Sequence, residues 1–181
     1  MDIEVSQFEW AKNFVGFTDA DAAHLVDLAG LIEAHGGVVT DHFYGVLESV
    51  PETARVIEGR VDNLKRTHGM YMRQLVAGDY GEAYFKSRIK IGEVHVVQGI
   101  EPHWVEAVMS IIRTQLIAVI SENYADAAER AAKSQALIRI CDLDLLLINF
   151  AYAEERLSRL SKFTGMGRKL IENVIKMPPR K

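Results

Sequence analysis

The amino-acid sequence predicts an all-α protein of about eight helices that form one domain. Apolar residues recur at helical spacing along almost the entire chain, which is the primary signal for amphipathic helices. Only 4 prolines occur in the 181 residues, and two of them, Pro178 and Pro179, lie close to the C-terminus. No stretch between turn signals alternates strictly between polar and apolar residues, so β-strands are not expected.

The composition favours a soluble protein and argues against several classes of partner. Hydrophobic residues make up 49% and charged residues 25% of the chain, both ordinary for a globular domain. The formal net charge of -4 disfavours nucleic acid and anionic membranes as partners, because both attract basic surfaces. The single cysteine, Cys141, excludes an internal disulfide framework and a cysteine-only metal site, and it favours a cytoplasmic location.

Segments that target or span a membrane are not expected. The N-terminal stretch MDIEVSQFEWAKNF carries acidic residues where a signal peptide needs a basic start and an uninterrupted apolar stretch. The longest apolar candidate, Ala107 to Ile120, is interrupted by Arg113 and Gln115, and it is shorter than the roughly 18 residues of a membrane span. We therefore predict that this segment forms a deeply buried helix.

Five helices are predicted in the N-terminal half. Thr18 is a suitable N-cap for the second helix, because Asp21 three positions later can complete a capping box. Gly36 and Gly37, which follow His35, are predicted to end that helix. Pro51 suits the first position of a short fourth helix. The predicted spans are about 7–17, 18–35, 38–50, 51–58 and 61–76.

Three further helices are predicted in the C-terminal half, over about 81–99, 102–124 and 126–160. Gly99 is expected to end the first of them as a C-cap residue, and Pro102 to begin the next. Residues 1–160 are therefore assigned to one domain. The remainder, residues 161–181, is basic and loosely amphipathic, and it is compatible with a linker, a last helix or a connector to a further module.

His95 is the first candidate for a metal ligand, because it lies on an otherwise apolar helix face in the stretch IGEVHVVQGIEP. The alternative is a core histidine that donates to a backbone carbonyl, and for a lone histidine that alternative is favoured. No HxH, HExxH or CxxC spacing occurs, so a catalytic zinc site is not expected. A haem iron needs only one protein imidazole, because the porphyrin supplies four ligands.

His68 is the second candidate. Leu64 and His68 are one turn apart in VDNLKRTHGMYM, so both project from the same helix face. Gly69, which follows, leaves room for the close approach of a flat ring. The alternative is a partly exposed histidine on a polar helix that also carries Lys65 and Arg66.

Three stretches resemble the globin-coupled sensor family: RIKIGEVHVVQGIEPHW, HFYGVLESVPE and VDNLKRTH. Together the resemblance covers about residues 5–160, and its specific part is the histidine-centred motif combined with Phe-Tyr upstream. It implies a globin fold with an additional N-terminal helix, and long C-terminal helices that pair with those of a second subunit in a dimer bundle. It also implies a haem-based sensor of O2, NO, CO or redox state rather than an enzyme.

Residue by residue, the resemblance implies that His95 is the proximal ligand of a haem b iron. It implies that the Tyr44 hydroxyl donates a hydrogen bond to the gas ligand, which acquires negative charge. The other positions that the resemblance assigns to the haem site are Phe43, Leu64, Thr67 and Trp104. Arg88 and Lys86 are candidates for partners of the haem propionates.

Two positions depart from the family pattern. Val105 stands where the family often has tyrosine, so a hydrogen-bond switch on the proximal side is in doubt. His68 stands at a position that is commonly apolar, one turn beyond Leu64, and we expect it to bind the iron as a second metal ligand in a hexacoordinate resting state. The alternative is that His68 turns to solvent. If it binds, a gas must displace it, and the displacement itself becomes the signal.

The last two long helices suggest a homodimer, because they carry more helix-spaced apolar residues than one core needs. These residues are Ile111, Leu116, Ile120, Leu137, Ile140, Leu143, Leu147 and Phe150. By the same resemblance, a kinase, cyclase or chemotaxis-type output domain would receive the signal. Two other functions remain open: a stand-alone globin with NO dioxygenase or peroxidase-like activity, and a haem-free helical interaction domain in which His95 is a core residue.

Overall fold

The computed structural model describes residues 4–178, and within this range it contains helices and no strand, so the all-α prediction is confirmed. The predicted domain and tail also include residues 1–3 and 179–181, which lie outside the described residues. The helices are α1 (Val5–Val15), α2 (Asp19–Asp27), α3 (Ala29–Ser49), α4 (Pro51–Ile57), α5 (Val61–Leu75), α6 (Glu82–Val97), α7 (Pro102–Asn123), α8 (Ala127–Thr164) and α9 (Arg168–Ile175).

The start of α2 follows the predicted capping box. The Thr18 backbone N–H donates to a carboxylate oxygen of Asp21 over 2.8 Å, and the Thr18 side chain accepts from the third helical residue. Such reciprocal bonds satisfy backbone donors that the first turn of a helix leaves unpaired. The predicted start of α4 is also confirmed, because Pro51 occupies its first turn.

The predicted helix end at Gly36 and Gly37 is wrong. The chain breaks earlier, at Leu28, and α3 then continues through both glycines as one 21-residue helix. Gly36 is buried, and its carbonyl accepts a second hydrogen bond from the Thr40 hydroxyl at 2.7 Å, in addition to its place in the helix. A glycine inside a helix costs only about 1 kcal/mol, which packing of the buried face can offset.

The long helix α8 organises the core. It packs against α6, α7, α2 and α1, and its buried side chains extend from Lys133 to Tyr152. Its end was predicted near Leu160, but it continues to Thr164, and Gly165 in the left-handed conformation (φ 70°) then stops it. The following α9 lies back against α8 through the buried Ile171.

The prediction that Ala107–Ile120 is deeply buried is wrong, because α7 buries only one face. That face consists of Val105, Met109, Ile112, Leu116 and Ile120. Only 28% of the most apolar window of α7 is buried. Among the described residues, α7 is long and apolar enough to cross a membrane by length and composition, a property that core helices of soluble proteins share.

Candidate functional site

Two small apolar clusters lie beside the main core and are both bordered by α7. The first, the Tyr44 cluster, is formed by Phe43, Tyr44 and Ile57, with Leu47, Val61, Leu64, Val108 and Ile111 packed against it. The second, the Tyr152 cluster, is formed by Val105, Ile148 and Tyr152, with Ile91, Val96, Ile100 and Leu145 packed against it. Consecutive turns of α7 therefore contribute to different clusters, and each cluster has one of the two candidate histidines beside it.

His95 lies in the last turn of α6, beside the Tyr152 cluster. Its ring centroid is 6.1 Å from that of Tyr152, and its Nδ1 atom is buried without a hydrogen-bond partner. Burial lowers the pKa of His95 to about 4, so the imidazole is neutral at pH 7. The core histidine of the alternative interpretation would donate to a carbonyl, and the described residues provide no such bond.

Two contacts fix the position of α6 and of the loop after it. Gly92, one turn before His95, lies directly on the backbone of α8, where an added Cβ would be 2.6 Å from the Ile148 carbonyl oxygen. The Tyr152 hydroxyl donates to the carbonyl of Ile100 over 2.8 Å and ties the α6–α7 connection to α8. Gly92 is therefore the point at which α6 meets α8.

His68 lies beside the Tyr44 cluster. Its ring centroid is 4.9 Å from that of Phe43, and it stacks on Tyr71 at 5.6 Å. Its Nδ1 atom is 2.8 Å from the Thr40 hydroxyl, whereas Nε2 is buried without a partner. Burial lowers the pKa of His68 to about 4, so this imidazole is also neutral at pH 7. The solvent-facing alternative for His68 is not the arrangement observed.

Tyr44 provides a buried hydrogen-bond donor next to His68. Its side chain is 5% exposed, its ring centroid is 4.1 Å from that of Phe43, and its hydroxyl bonds to no other described residue. Burial raises the pKa of Tyr44 to about 12, so the phenol keeps its proton at all physiological pH values. Leu64 is half-buried against the same cluster.

Three of the predicted site residues have other surroundings. Thr67 is exposed, and its hydroxyl donates to the Asn63 carbonyl at 3.0 Å. Trp104 is half-buried, with its ring against that of His103. Lys86 is exposed and pairs with Glu82. None of these three side chains contacts the two clusters through a described hydrogen bond.

Arg88, a candidate partner of the haem propionates, lies inside the core and pairs there with Asp144. Its side chain is 0% exposed, and its Nε donates to Asp144 over 2.9 Å. Tyr84 donates to the same carboxylate at 2.7 Å, and the guanidinium also donates to Gln74. Burial opposes the charge on Arg88, but the ion pair with Asp144 outweighs it and keeps the pKa of Arg88 raised.

Sequence reasoning missed Thr40, Tyr71 and Tyr152, which contact the two histidines. Thr40 is separated from His68 by 28 positions, and the intervening helix α4 gives no spacing signal that would connect them. Tyr71 follows His68 by almost one turn, so helical periodicity could have placed it beside the imidazole. Tyr152 belongs to α8 and carries no local signal that relates it to His95.

A cavity of about 300 Å³ lies between α3 and α5, lined among others by Gly36, Thr40, Gly69 and Met72. Its lining includes Thr40, the hydrogen-bond partner of His68, but none of the residues that form the two clusters. Within residues 4–178, no group of three or more His, Cys, Asp or Glu side chains could hold a metal ion, so a metal bound by His95 or His68 would need ligands from a cofactor.

Comparisons with known proteins identify the family and the fold of the chain. A sequence model of the family described as "Protoglobin" matches residues 4–158. The "Heme-based aerotactic transducer HemAT" of Halobacterium salinarum is 28% identical over 134 residues, which are 72% of this chain and 27% of that relative. The chain thus spans 27% of the length of this curated relative.

Solved structures match as well. The globin domain of a Geobacter sulfurreducens globin-coupled sensor has a TM-score of 0.76 and 32% identity, and the match covers 80% of this chain and 96% of that chain. The ferric globin domain of E. coli DosC has a TM-score of 0.68 at 19% identity, covering 80% of this chain and 98% of that one, and it supports the fold alone. The predicted globin fold is confirmed.

Proposed function

Since the chain belongs to the protoglobin family of globin-coupled sensor domains, we propose that it binds haem b between the two clusters and senses O2, NO, CO or redox state. The observation that carries this proposal is the pair of buried, neutral imidazoles, each with an unpartnered nitrogen and each beside a different cluster. Haem supplies an iron with two axial positions, which suit imidazole and gas ligands.

His95 is the proposed permanent axial ligand. Its neutral imidazole needs no deprotonation before binding, and its ring lies beside the Tyr152 cluster. The close contact of Gly92 with α8 holds α6, and therefore His95, at a fixed depth. Apolar packing from Ile91 and Val96 surrounds the same end of α6.

His68 is the proposed second axial ligand. Its Nε2 is buried without a partner, and its ring lies beside the Tyr44 cluster, whereas His95 lies beside the Tyr152 cluster. With haem bound, a gas and His68 would compete for the same position on the iron, so binding of the gas would require release of His68. The Tyr44 hydroxyl, which is buried and keeps its proton, is the proposed donor to the gas.

Absorption spectroscopy of the purified protein tests haem binding. We expect a Soret band after expression with sufficient haem, and we expect His95→Ala to lose most of the bound haem. His103→Ala, at an exposed histidine on the next helix, is the matched control and should retain haem as wild type does. A wild-type protein without a Soret band would favour the haem-free interaction domain instead.

The coordination state tests the role of His68. We expect low-spin, six-coordinate spectra for the ferric and ferrous wild type, and high-spin spectra for His68→Ala. His42→Ala, at an exposed histidine of α3, should resemble wild type. A five-coordinate wild type that His68→Ala does not change would reject the second ligand and leave the role of His95 intact.

A homodimer through α7 and α8 is a further part of the proposal, but the residues that first suggested it need revision. Six of them are within the core of this chain: Leu116, Ile120, Leu137, Ile140, Leu143 and Leu147. Ile111 and Phe150 are half-buried, and Leu160 is 44% exposed. Apolar surface on both helices supports association with a second copy.

Sedimentation analysis tests the dimer. Leu160→Glu should shift the chain towards monomer, whereas Val38→Glu, at a 68% exposed valine on α3, should not. A wild type that stays monomeric at micromolar concentration would contradict the dimer.

Relay of the signal to a kinase, cyclase or chemotaxis-type output, and a cytoplasmic location, are proposed from the family membership.

A further inference from the structure

We propose that Thr40 is a positioning residue that fixes His68 in the tautomer with its proton on Nδ1 and so directs the lone pair of Nε2 towards the iron. The proposal rests on the hydrogen bonds of one threonine hydroxyl. It deepens the proposed function, because it assumes that His68 is an axial ligand. Its first test is nevertheless independent of haem.

The Thr40 hydroxyl has two close partners. Its Oγ1 is 2.7 Å from the Gly36 carbonyl oxygen and 2.8 Å from His68 Nδ1. Thr40 is 4% exposed, so water has little access to the hydroxyl. Since a hydroxyl has one proton and a carbonyl can only accept, the short distance to Gly36 requires that this proton points at the carbonyl.

The hydrogen bonds of Thr40 determine which nitrogen of His68 carries the proton. Thr40 Oγ1 has given its proton to the bond with Gly36, so it can only accept from the imidazole. Nδ1 must therefore carry a hydrogen. The opposite tautomer would leave the Nδ1 lone pair facing an oxygen lone pair at 2.8 Å, and it would also bury an N–H on Nε2 without an acceptor.

This arrangement prepares His68 for coordination. A neutral imidazole with its hydrogen on Nδ1 has its lone pair on Nε2, which is the buried atom without a partner. A histidine that binds a metal commonly donates its other N–H to an oxygen acceptor, which orients the ring and raises the basicity of the ligand. Thr40 provides that acceptor, and the Gly36 carbonyl orients Thr40 in turn.

The Thr40 hydroxyl is held in place because α3 continues as a helix through Gly36. Thr40 and Gly36 are four residues apart, so the hydroxyl reaches the carbonyl only while this turn stays helical. Gly36, where the sequence predicted a helix end, thus supplies the carbonyl that orients the Thr40 hydroxyl.

The first experiment uses the wild-type chain without haem. Nitrogen NMR of the imidazole rings distinguishes the two neutral tautomers of each histidine, with His68→Ala supplying the assignment. We expect His68 to carry its proton on Nδ1. A proton on Nε2 would overturn the proposal, whatever the haem spectra show.

The second experiment compares Thr40→Val with Thr40→Ser in the haem-loaded protein. Valine keeps the shape and removes the hydroxyl, whereas serine keeps the hydroxyl. We expect Thr40→Val to accelerate dissociation of His68 from the iron about 10-fold or more, measured as the limiting rate of CO binding to the ferrous protein. Thr40→Ser should stay within about 3-fold of wild type on the same scale.

These experiments test the role of Thr40 and the ligation of the iron by His68 separately. Equal rates for wild type and Thr40→Val, with His68 bound in both, would overturn the role of Thr40 and leave axial ligation by His68 intact. A five-coordinate wild type would reject axial ligation, whereas the tautomer would still be decided by NMR. If Thr40→Val does not fold, as judged by circular dichroism, the wild-type NMR result and the Thr40→Ser rate still decide.

Discussion

Gly92 and Ala151 bring α6 and α8 into contact, with only the methyl group of Ala151 between the two backbones. A Cβ added to Gly92 would lie 2.5 Å from the Cβ of Ala151, a separation that two carbon atoms cannot adopt. The Ile148 carbonyl oxygen lies 2.6 Å from the same point. The spacing of the two helices is therefore set by the backbone of Gly92 against the Ala151 methyl group and the Ile148 carbonyl, at the turn that precedes His95.

Gly92→Ala should destabilise the protein by about 1–3 kcal/mol, because the new methyl group forces the two helices apart. It should also weaken haem retention, because His95 moves with α6. Urea unfolding of the apoprotein measures the first effect. Gly37→Ala is the matched control: nothing lies within 4 Å of its Cβ, so it should stabilise by about 0.5–1 kcal/mol. Equal stability of Gly92→Ala and wild type would contradict the close contact.

Asp144→Asn should cost about 3–5 kcal/mol, because it leaves the buried charge of Arg88 without its counter-ion. Both side chains are 0% exposed, so water cannot replace the lost partner. Glu82→Gln in the pair Glu82–Lys86, whose side chains are 62% and 69% exposed, should change the free energy of unfolding by less than about 1 kcal/mol. Chemical denaturation of both variants measures the difference, and a similar loss in both would show that the Arg88 pair is reached by solvent.

Tyr44→Phe should speed O2 release about 10-fold to 100-fold, because it removes a buried hydrogen-bond donor from the gas ligand. Stopped-flow displacement of O2 measures the rate. Tyr80→Phe is the control, since its hydroxyl bonds to the Leu75 carbonyl within the main core. An unchanged rate in Tyr44→Phe would mean that the phenol does not face the gas.

The apoprotein should lose stability on acidification from pH 7.5 to 5.5. Burial lowers the pKa of His68 and of His95 to about 4, from an ordinary value of 6.5. In this window the unfolded chain therefore binds more protons than the folded one, so stability falls as pH falls through 6.5. Each histidine should contribute about 1 kcal/mol to that loss.

Unfolding at both pH values, in wild type, His68→Leu and His95→Leu, measures these contributions. Each variant should show a smaller change between the two pH values than wild type. Asp144, whose pKa burial raises despite the opposing Arg88 charge, acts in the opposite direction, but its effect is common to all three proteins and cancels in the comparison. The same change in all three would mean that the imidazoles are hydrated.

Local sequence patterns were sufficient for most helices, because caps, prolines and apolar spacing act over a few residues. They were insufficient wherever a contact between distant residues decides the outcome. The partner of Arg88 is 56 positions away, and that of His68 is 28 positions away. The glycines of α3 were misjudged for the same reason, since their tolerance depends on packing against other helices.

The contact at Ala151 also gives α8 the geometry of a lever. From Ala151 to Thr164 the helix continues for 164 − 151 = 13 residues, or about 20 Å at the usual rise per residue. A tilt of one degree at Ala151 would displace the end of this arm by about 0.3 Å. Because only the Ala151 methyl group separates the two backbones at this point, a displacement of α6 that tilts α8 there would be larger at the far end of α8.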